Sequence, residues 1–179
     1  RVLFRSERVT RELLGSAVFG ADDDLLETVL VRLLTERRHT LALAESCTGG
    51  LIAHRVTNVP GASAVLLAGW VTYGNAAKQS CLGVPSETLA VHGAVSELVA
   101  RAMAEGARGR AGADYAVAVT GIAGPSGGTP DKPVGTVFLA LATPTRTLAV
   151  RRINPWERET FKHVTSQQAL DLVRLNLEG

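Results

Sequence analysis

Residues 115–120 read YAVAVT, a run that is apolar at nearly every position rather than at alternate ones. A strand with one wet face alternates, so this run describes a strand covered on both faces, and the rest of the chain must supply the helices that cover it. The pattern does so. Asp22, Asp23 and Asp24 offer cap and first-turn carboxylates to a helix with the stripe Leu26, Val29, Leu30, Leu33, Leu34, closed by Arg37, Arg38 and His39. Residues 40–44 read as a buried strand, 50–58 as a short helix ended by Pro60 and Gly61, and 67–73 as a second strand. Asn75 is placed to cap a helix over 76–82. Ser96 is placed to cap a longer one to about Gly109, whose inner face of Val99, Ala102, Met103, Gly106 and Ala107 is small enough to lie tightly on a sheet. Residues 135–143 and 147–153, joined by a turn at 144–146, read as an antiparallel pair before a terminal helix over 156–177. The expected architecture is a single α/β domain, a three-layer α/β/α sandwich on a mixed, mostly parallel sheet.

A chain of 179 residues with 46% apolar and 20% charged residues supports one sizeable core and is short for two. Only 4% of residues are aromatic, which suits helices packed closely on a sheet better than a base-stacking platform. The pI of about 8.8 accompanies a net charge of only +2, supplied by Arg1 and Arg5, so nucleic acid is a disfavoured partner. Cys47 and Cys81 lack CxxC spacing, and His39, His54, His92 and His163 show no ligand spacing with them. Neither a disulfide framework nor a metal site is expected, and a reducing cytoplasm is the natural setting. No apolar run approaches the roughly 20 residues of a membrane-spanning helix.

The first six residues, RVLFRS, are what one reading frame of CGTGTGCTCTTCCGATCT would encode, a string that looks like a short-read sequencing adapter. Residues 1–6 are therefore expected to be an assembly scar, and 7–21, weakly helical and then broken by glycine, a linker from something upstream. The domain itself is expected to span 22–179.

Three expected strands end in unusual residues: ESCTGG, YGNAAK and TGIAGPSGGTPDKP. If those strands are parallel neighbours, the three segments meet at one crevice beyond their carboxyl ends. There Ser46 could be aimed at a bound carbonyl beneath the amides of Thr48, Gly49 and Gly50, or Ser46 and Thr48 could merely cap a helix. Cys47 is the rival nucleophile, or a small buried apolar side chain facing the other way. Lys78, early in a helix and desolvated, could be a neutral amine able to take a proton from Ser46, with Tyr73 relaying or orienting; alternatively it is a solvated surface lysine beside a half-buried tyrosine. The glycines at 121, 124, 127 and 128 suit backbone approach to a phosphate or a ring, although neither GxxxxGK[ST] nor strand–GxGxxG–helix is present and a plain long loop would look similar. Lys132 could meet a phosphate or solubilise that loop.

Taken together, AESCTGG, WVTYGNAAK with LGV and HGAVSE, and VTGIAGPSGGTPDKPVGTV resemble the CinA C-terminal family, the nicotinamide-mononucleotide deamidases. The resemblance runs from about Asp22 to the end, and residues 7–20 resemble the linker that follows a separate upstream domain in full-length members. It implies a metal-free, cofactor-free amidohydrolase of mixed-sheet α/β/α fold that converts nicotinamide mononucleotide to nicotinic acid mononucleotide and ammonia in NAD recycling. The family's serine, tyrosine and lysine fall on Ser46, Tyr73 and Lys78. Glu45, Thr48, Gly49, Gly50 and the segment Thr120, Gly121, Ile122, Ala123, Gly124 and Pro125 would contact the small-molecule nucleotide, although for Glu45 the sequence leaves open that it orients Lys78 or Ser46 or only caps the turn. A homodimer without membrane association is implied.

One departure stands out: where the family pattern reads something like FPGDRE, this chain has NPWERE at 154–159, with Trp156 in place of glycine and Arg158 of open role. Two other classes compete. A nucleotide-sensing or protein-interaction module linked to competence would need the glycine loops but neither nucleophile nor base. A phosphate-ester hydrolase would need a carboxylate cluster, whereas Asp131 is isolated and Glu45 stands alone beside Ser46.

Overall fold

The computed structural model describes the backbone of residues 2–179 and the side chains from Ser6 onward, so the adapter-like reading of Arg1 and of the side chains at 1–5 lies outside the described residues. Helix α1 (Val2–Leu14) and a 3-10 turn at Gly15–Ala17 precede α2 (Leu26–Arg37). The order is then β1 (Leu41–Glu45), α3 (Leu51–Thr57), β2 (Leu66–Val71), α4 (Asn75–Leu82), α5 (Ser86–His92) and α6 (Glu97–Ala111). Strands β3 (Tyr115–Gly121), β4 (Thr136–Ala142) and β5 (Thr147–Ile153) and helix α7 (Arg158–Glu178) complete it.

The sheet runs β2-β1-β3-β4-β5. Strands β2, β1 and β3 are mutually parallel, β4 is antiparallel to β3, and β5 is antiparallel to β4, so β5 points with the first three and the sheet is mixed but mostly codirectional, as expected.

Side-chain size separates the two faces. From β1, β3 and β4 the larger residues Leu41, Leu43, Val117, Val119, Leu139 and Leu141 point toward α2, α3 and α7. Their alternates Ala42, Ala44, Ala116, Ala118, Ala140 and Ala142 point toward α4, α5 and α6. Alanines on that face let α6 lie close across the sheet, where Val99, Ala100, Met103, Ala104 and Ala107 are buried. Gly106, expected against the sheet, serves a helix contact instead: a Cβ there would lie 1.9 Å from the Leu82 carbonyl oxygen at the end of α4.

Two caps differ from expectation. The aspartates stop short of α2, whose cap position is Leu25 with no side-chain bond; Asp24 folds back to accept the Ala21 N–H at 3.3 Å. Asn75 is the first residue of α4 rather than its cap, which places Lys78 fourth in the helix, its N–H on the Gly74 carbonyl. Ser96 caps α6 as read, accepting from Val99 N–H. The terminal helix starts later than expected because Glu157 caps it, accepting from the N–H groups of Glu159 and Thr160 at 2.8 and 2.7 Å.

Candidate active site

Register brings the carboxyl ends of three strands to one edge: Glu45 of β1 pairs with Val71 of β2 on one side and Val119 of β3 on the other. The chain leaves β1 for β2 on one flank and returns to β3 on the opposite flank, so the segments after β1 and β3 diverge at a topological switch point, where open α/β sheets hold ligands. A cleft of about 190 Å³ lies there, lined among others by Ser46, Tyr73, Lys78, Thr120, Gly121 and Arg158.

Ser46 is the first residue beyond β1. Its N–H donates to the Val119 carbonyl at 3.1 Å and its carbonyl accepts from Gly49 N–H at 3.1 Å, which fixes the turn against β3. Gly49 and Gly50 take positive φ, 64° and 97°, a conformation glycine adopts at little cost. Cys47 also lines the cleft but is 5% exposed and packs in the core on the α2/α3/α7 face, and burial, with the nearby Glu45 charge, pushes its thiol up to about 12. It is therefore a thiol at neutral pH and a poor nucleophile.

Lys78 is 1% exposed, yet among the described residues no carboxylate pairs with it. Its Nζ lies 2.6 Å from the Thr72 carbonyl oxygen, 3.2 Å from that of Tyr73 and 3.0 Å from Ser46 Oγ. Desolvation lowers its pKa below the ordinary 10.5. A neutral amine has two N–H donors and one lone pair. An ammonium would donate to all three oxygens; the neutral form would give its two N–H donors to the carbonyls and keep the lone pair for the Ser46 hydroxyl.

Tyr73, read as relay or orienter, meets Lys78 through its backbone. Its carbonyl holds the amine, while its exposed ring reaches outward and its hydroxyl accepts from Arg158 Nη2 at 2.9 Å. Arg158 Nη1 donates to the Gly124 carbonyl at 3.0 Å, so one guanidinium ties the loop after β2 to the loop after β3 across the rim of the cleft. The divergent NPWERE segment thus keeps the residue that bridges the site, and Trp156 lies outside the helix, exposed.

Glu45, expected to face substrate, is turned the other way. It is 1% exposed, and its Oε2 accepts from Thr48 Oγ1 (2.6 Å), Gly50 N–H (3.0 Å) and Ile52 N–H (3.1 Å), its Oε1 from Ala53 N–H (2.8 Å). The amides of Gly49 and Gly50, read as oxyanion or phosphate donors, are thereby engaged within the protein, and neither Ser46 nor Thr48 caps α3. The amides of Cys47 and Thr48 donate to no backbone carbonyl among the described residues.

Of the loop after β3, Gly121 and Ala123 line the cleft, and Thr120 is buried, its hydroxyl donating to the Ala94 carbonyl at 2.8 Å. Ile122 is fixed to β4 through Thr136 and Gly135, and a Cβ on Gly124 would lie 2.6 Å from Val134 Cγ1. Pro125 is exposed. Sequence reasoning assigned no role to Ala94 and Val95, which line the cleft; the signal was the HGAVSE stretch that contains them.

Among the described residues no group of three or more His, Cys, Asp or Glu side chains is placed to hold a metal ion, and no helix is long and apolar enough to cross a membrane.

A family model described as the CinA C-terminal domain matches residues 23–177. A CinA-like protein of Anaeromyxobacter sp. (strain K) is 53% identical over 176 residues, 97% of this chain and 43% of its own length. A CinA-like protein of Geobacter sulfurreducens is 53% identical over 169 residues, 94% of this chain and 41% of its own. The chain thus spans less than half the length of these curated relatives. Among solved structures, the competence/damage inducible protein CihA from Agrobacterium tumefaciens superposes with a TM-score of 0.83 at 42% identity, covering 90% of this chain and 99% of that one.

Proposed function

The chain belongs to the CinA C-terminal domain family, and from that premise we propose that it is an amidohydrolase that converts nicotinamide mononucleotide to nicotinic acid mononucleotide and ammonia, a step of NAD recycling, with Ser46 as nucleophile and Lys78 as base. The observation that carries this reading is the Lys78 Nζ to Ser46 Oγ separation of 3.0 Å, with the other two polar neighbours of the amine being carbonyl oxygens. Burying a lysine without a counter-charge costs several kcal/mol in desolvation, and a base for Ser46 is a role that gives that cost a use.

The proposed reaction uses those atoms. Lys78 takes the Ser46 proton as Oγ bonds to the carboxamide carbon, and the oxyanion forms near the Cys47 amide. Collapse breaks the carbon–nitrogen bond, and the Lys78 ammonium donates its proton to the departing nitrogen, releasing ammonia and leaving an ester on Ser46. Water then attacks the ester, giving a proton to Lys78; the acid leaves, and Lys78 returns the proton to Oγ. Tyr73 and Arg158 at the rim, with the Thr120–Pro125 segment, hold the nucleotide end, and the 190 Å³ cleft accommodates the pyridine ring rather than the whole substrate.

The test is ammonia release from nicotinamide mononucleotide by the protein, beside Ser46→Ala and Cys47→Ala. Release by the parent and the cysteine variant but not the serine variant supports the reading. No release from a folded parent that binds the nucleotide overturns it in favour of a sensing module.

A further inference from the structure

We infer that Glu45 is a positioning residue: an internal carboxylate that occupies the start of α3, fixes the turn carrying Ser46 at its distance from Lys78, and keeps the substrate's own anionic groups out of that helix end. The inference rests on the assignment of Ser46 as nucleophile for its catalytic consequence, but not for its structural one.

Helix starts attract anions because their first amides have no partner within the helix and the backbone dipoles leave partial positive charge there. Here the anion belongs to the chain itself. Glu45 is the last residue of β1, immediately before Ser46, and its four donors come from Thr48, Gly50, Ile52 and Ala53, so one side chain spans the whole strand-to-helix turn. Among the described residues no Lys or Arg pairs with it, and its partners are one hydroxyl and three amides. The residue it brackets, Ser46, has its own N–H on Val119 and its carbonyl on Gly49, so the nucleophile's backbone is tied to β3 on one side and to the turn that Glu45 holds on the other. The amide of Gly49 is spent on Ser46 and that of Gly50 on Glu45, so a substrate phosphate has to be met by side chains at the rim of the cleft.

Glu45→Gln keeps the volume but sets an amide NH2 against one of the N–H donors, loosening the turn. A displacement on the order of 1 Å at a reacting group costs about a hundredfold, so kcat for ammonia release should fall by roughly that factor. KM should change far less, since no Glu45 atom faces the cleft. The pH at which the rate rises should stay where it is in the parent, because Glu45 does not touch Lys78; a general-base or charge role would move it. A kcat within about twofold of the parent, or a displaced pH profile, overturns the inference.

Glu45→Ala supplies a readout independent of activity. It empties the carboxylate site, and formate, the smallest carboxylate, should refill it. At roughly 0.1 M, formate should raise the melting temperature of the alanine variant by several degrees relative to chloride, leave the parent unchanged, and restore part of the lost kcat. Equal responses of parent and variant to formate overturn the inference even where the parent releases no ammonia. Ammonia release by the parent with an unaffected Glu45→Gln leaves the amidohydrolase standing and removes only the role of Glu45.

Discussion

Lys78 Nζ and the Thr72 carbonyl oxygen lie 2.6 Å apart, and no acid takes the place of that carbonyl. A carboxylate would stabilise the ammonium and bind its proton tightly; a carbonyl holds the group in place while leaving burial to favour the neutral amine. In the proposed mechanism that difference lets Lys78 act as a base toward the Ser46 hydroxyl, whose Oγ lies 3.0 Å from its Nζ.

Lys78→Met should retain the fold and nucleotide binding while kcat falls by about 10²–10⁴, the usual contribution of a general acid–base group. Steady-state kinetics with a nucleotide-binding measurement checks this; a loss confined to KM would assign Lys78 to binding.

The pH dependence follows from the same residue. Its folded pKa lies below the unfolded value of 10.5, so kcat/KM should rise with pH through the folded value, on a limb below that of a free lysine. Stability has a matching sign: the unfolded chain binds the extra proton between the two values, so the parent gains stability as pH rises toward 10.5 and the penalty of burying Lys78 is complete below the folded value. The melting temperature of Lys78→Met minus that of the parent should therefore decrease from neutral to alkaline pH. A flat difference would mean that the amine is not destabilised as an ammonium.

Cys47→Ala should keep kcat within about threefold of the parent, because a thiol pushed up to about 12 is not ionised at neutral pH. Rapid alkylation of native Cys47 at neutral pH would contradict the burial that sets its state.

Gly106→Ala tests how α4 is held. The added Cβ would meet the Leu82 carbonyl oxygen at 1.9 Å, so α4 must move off α6, at a cost of about 1–3 kcal/mol for overpacking. Because Lys78 rides on α4, kcat should fall together with the melting temperature, although Gly106 lies outside the cleft. Destabilisation with unchanged kcat would show that the Lys78 amine is held by the two carbonyls alone.

On the opposite face, Arg55 joins three helices: its Nη2 lies 2.7 Å from Glu27 Oε2 of α2, and the same guanidinium donates to Ser166 and Gln167 of α7. Arg55→Leu should cost about 3–5 kcal/mol by stranding Glu27 in a buried site, and adding Glu27→Leu should recover much of it. Chemical denaturation of the single and double variants measures both.

The layers and the edge that carries the site were readable because they depend on local pattern: the continuous apolar run of β3, the stripes of α2 and α6, and the turn residues that follow β1 and β3. Ser46 and Lys78 stood out by their neighbours in the chain but were assigned only through the family resemblance, and their 3.0 Å approach needed the register of β1 between β2 and β3 and the closure of two loops. The direction Glu45 faces was not legible for the same reason. Its partners lie three to eight residues ahead, and whether a carboxylate at a strand end faces the cleft or the helix depends on one rotamer. The aspartates at 22–24 were an error of adjacency: three good capping residues precede α2, but the chain reaches it in extended conformation at Leu25, with Asp22 in a left-handed turn.

The charge of Lys78 is the point on which the account turns, and following its Nζ and Cε resonances across a pH titration, assigned with Lys78→Met, measures it without any assumption about substrate. The account predicts an amine that titrates below 10.5, apart from the surface lysines. Titration at or above that value would make Lys78 a permanent cation, leave Ser46 without a base, and contradict the mechanism.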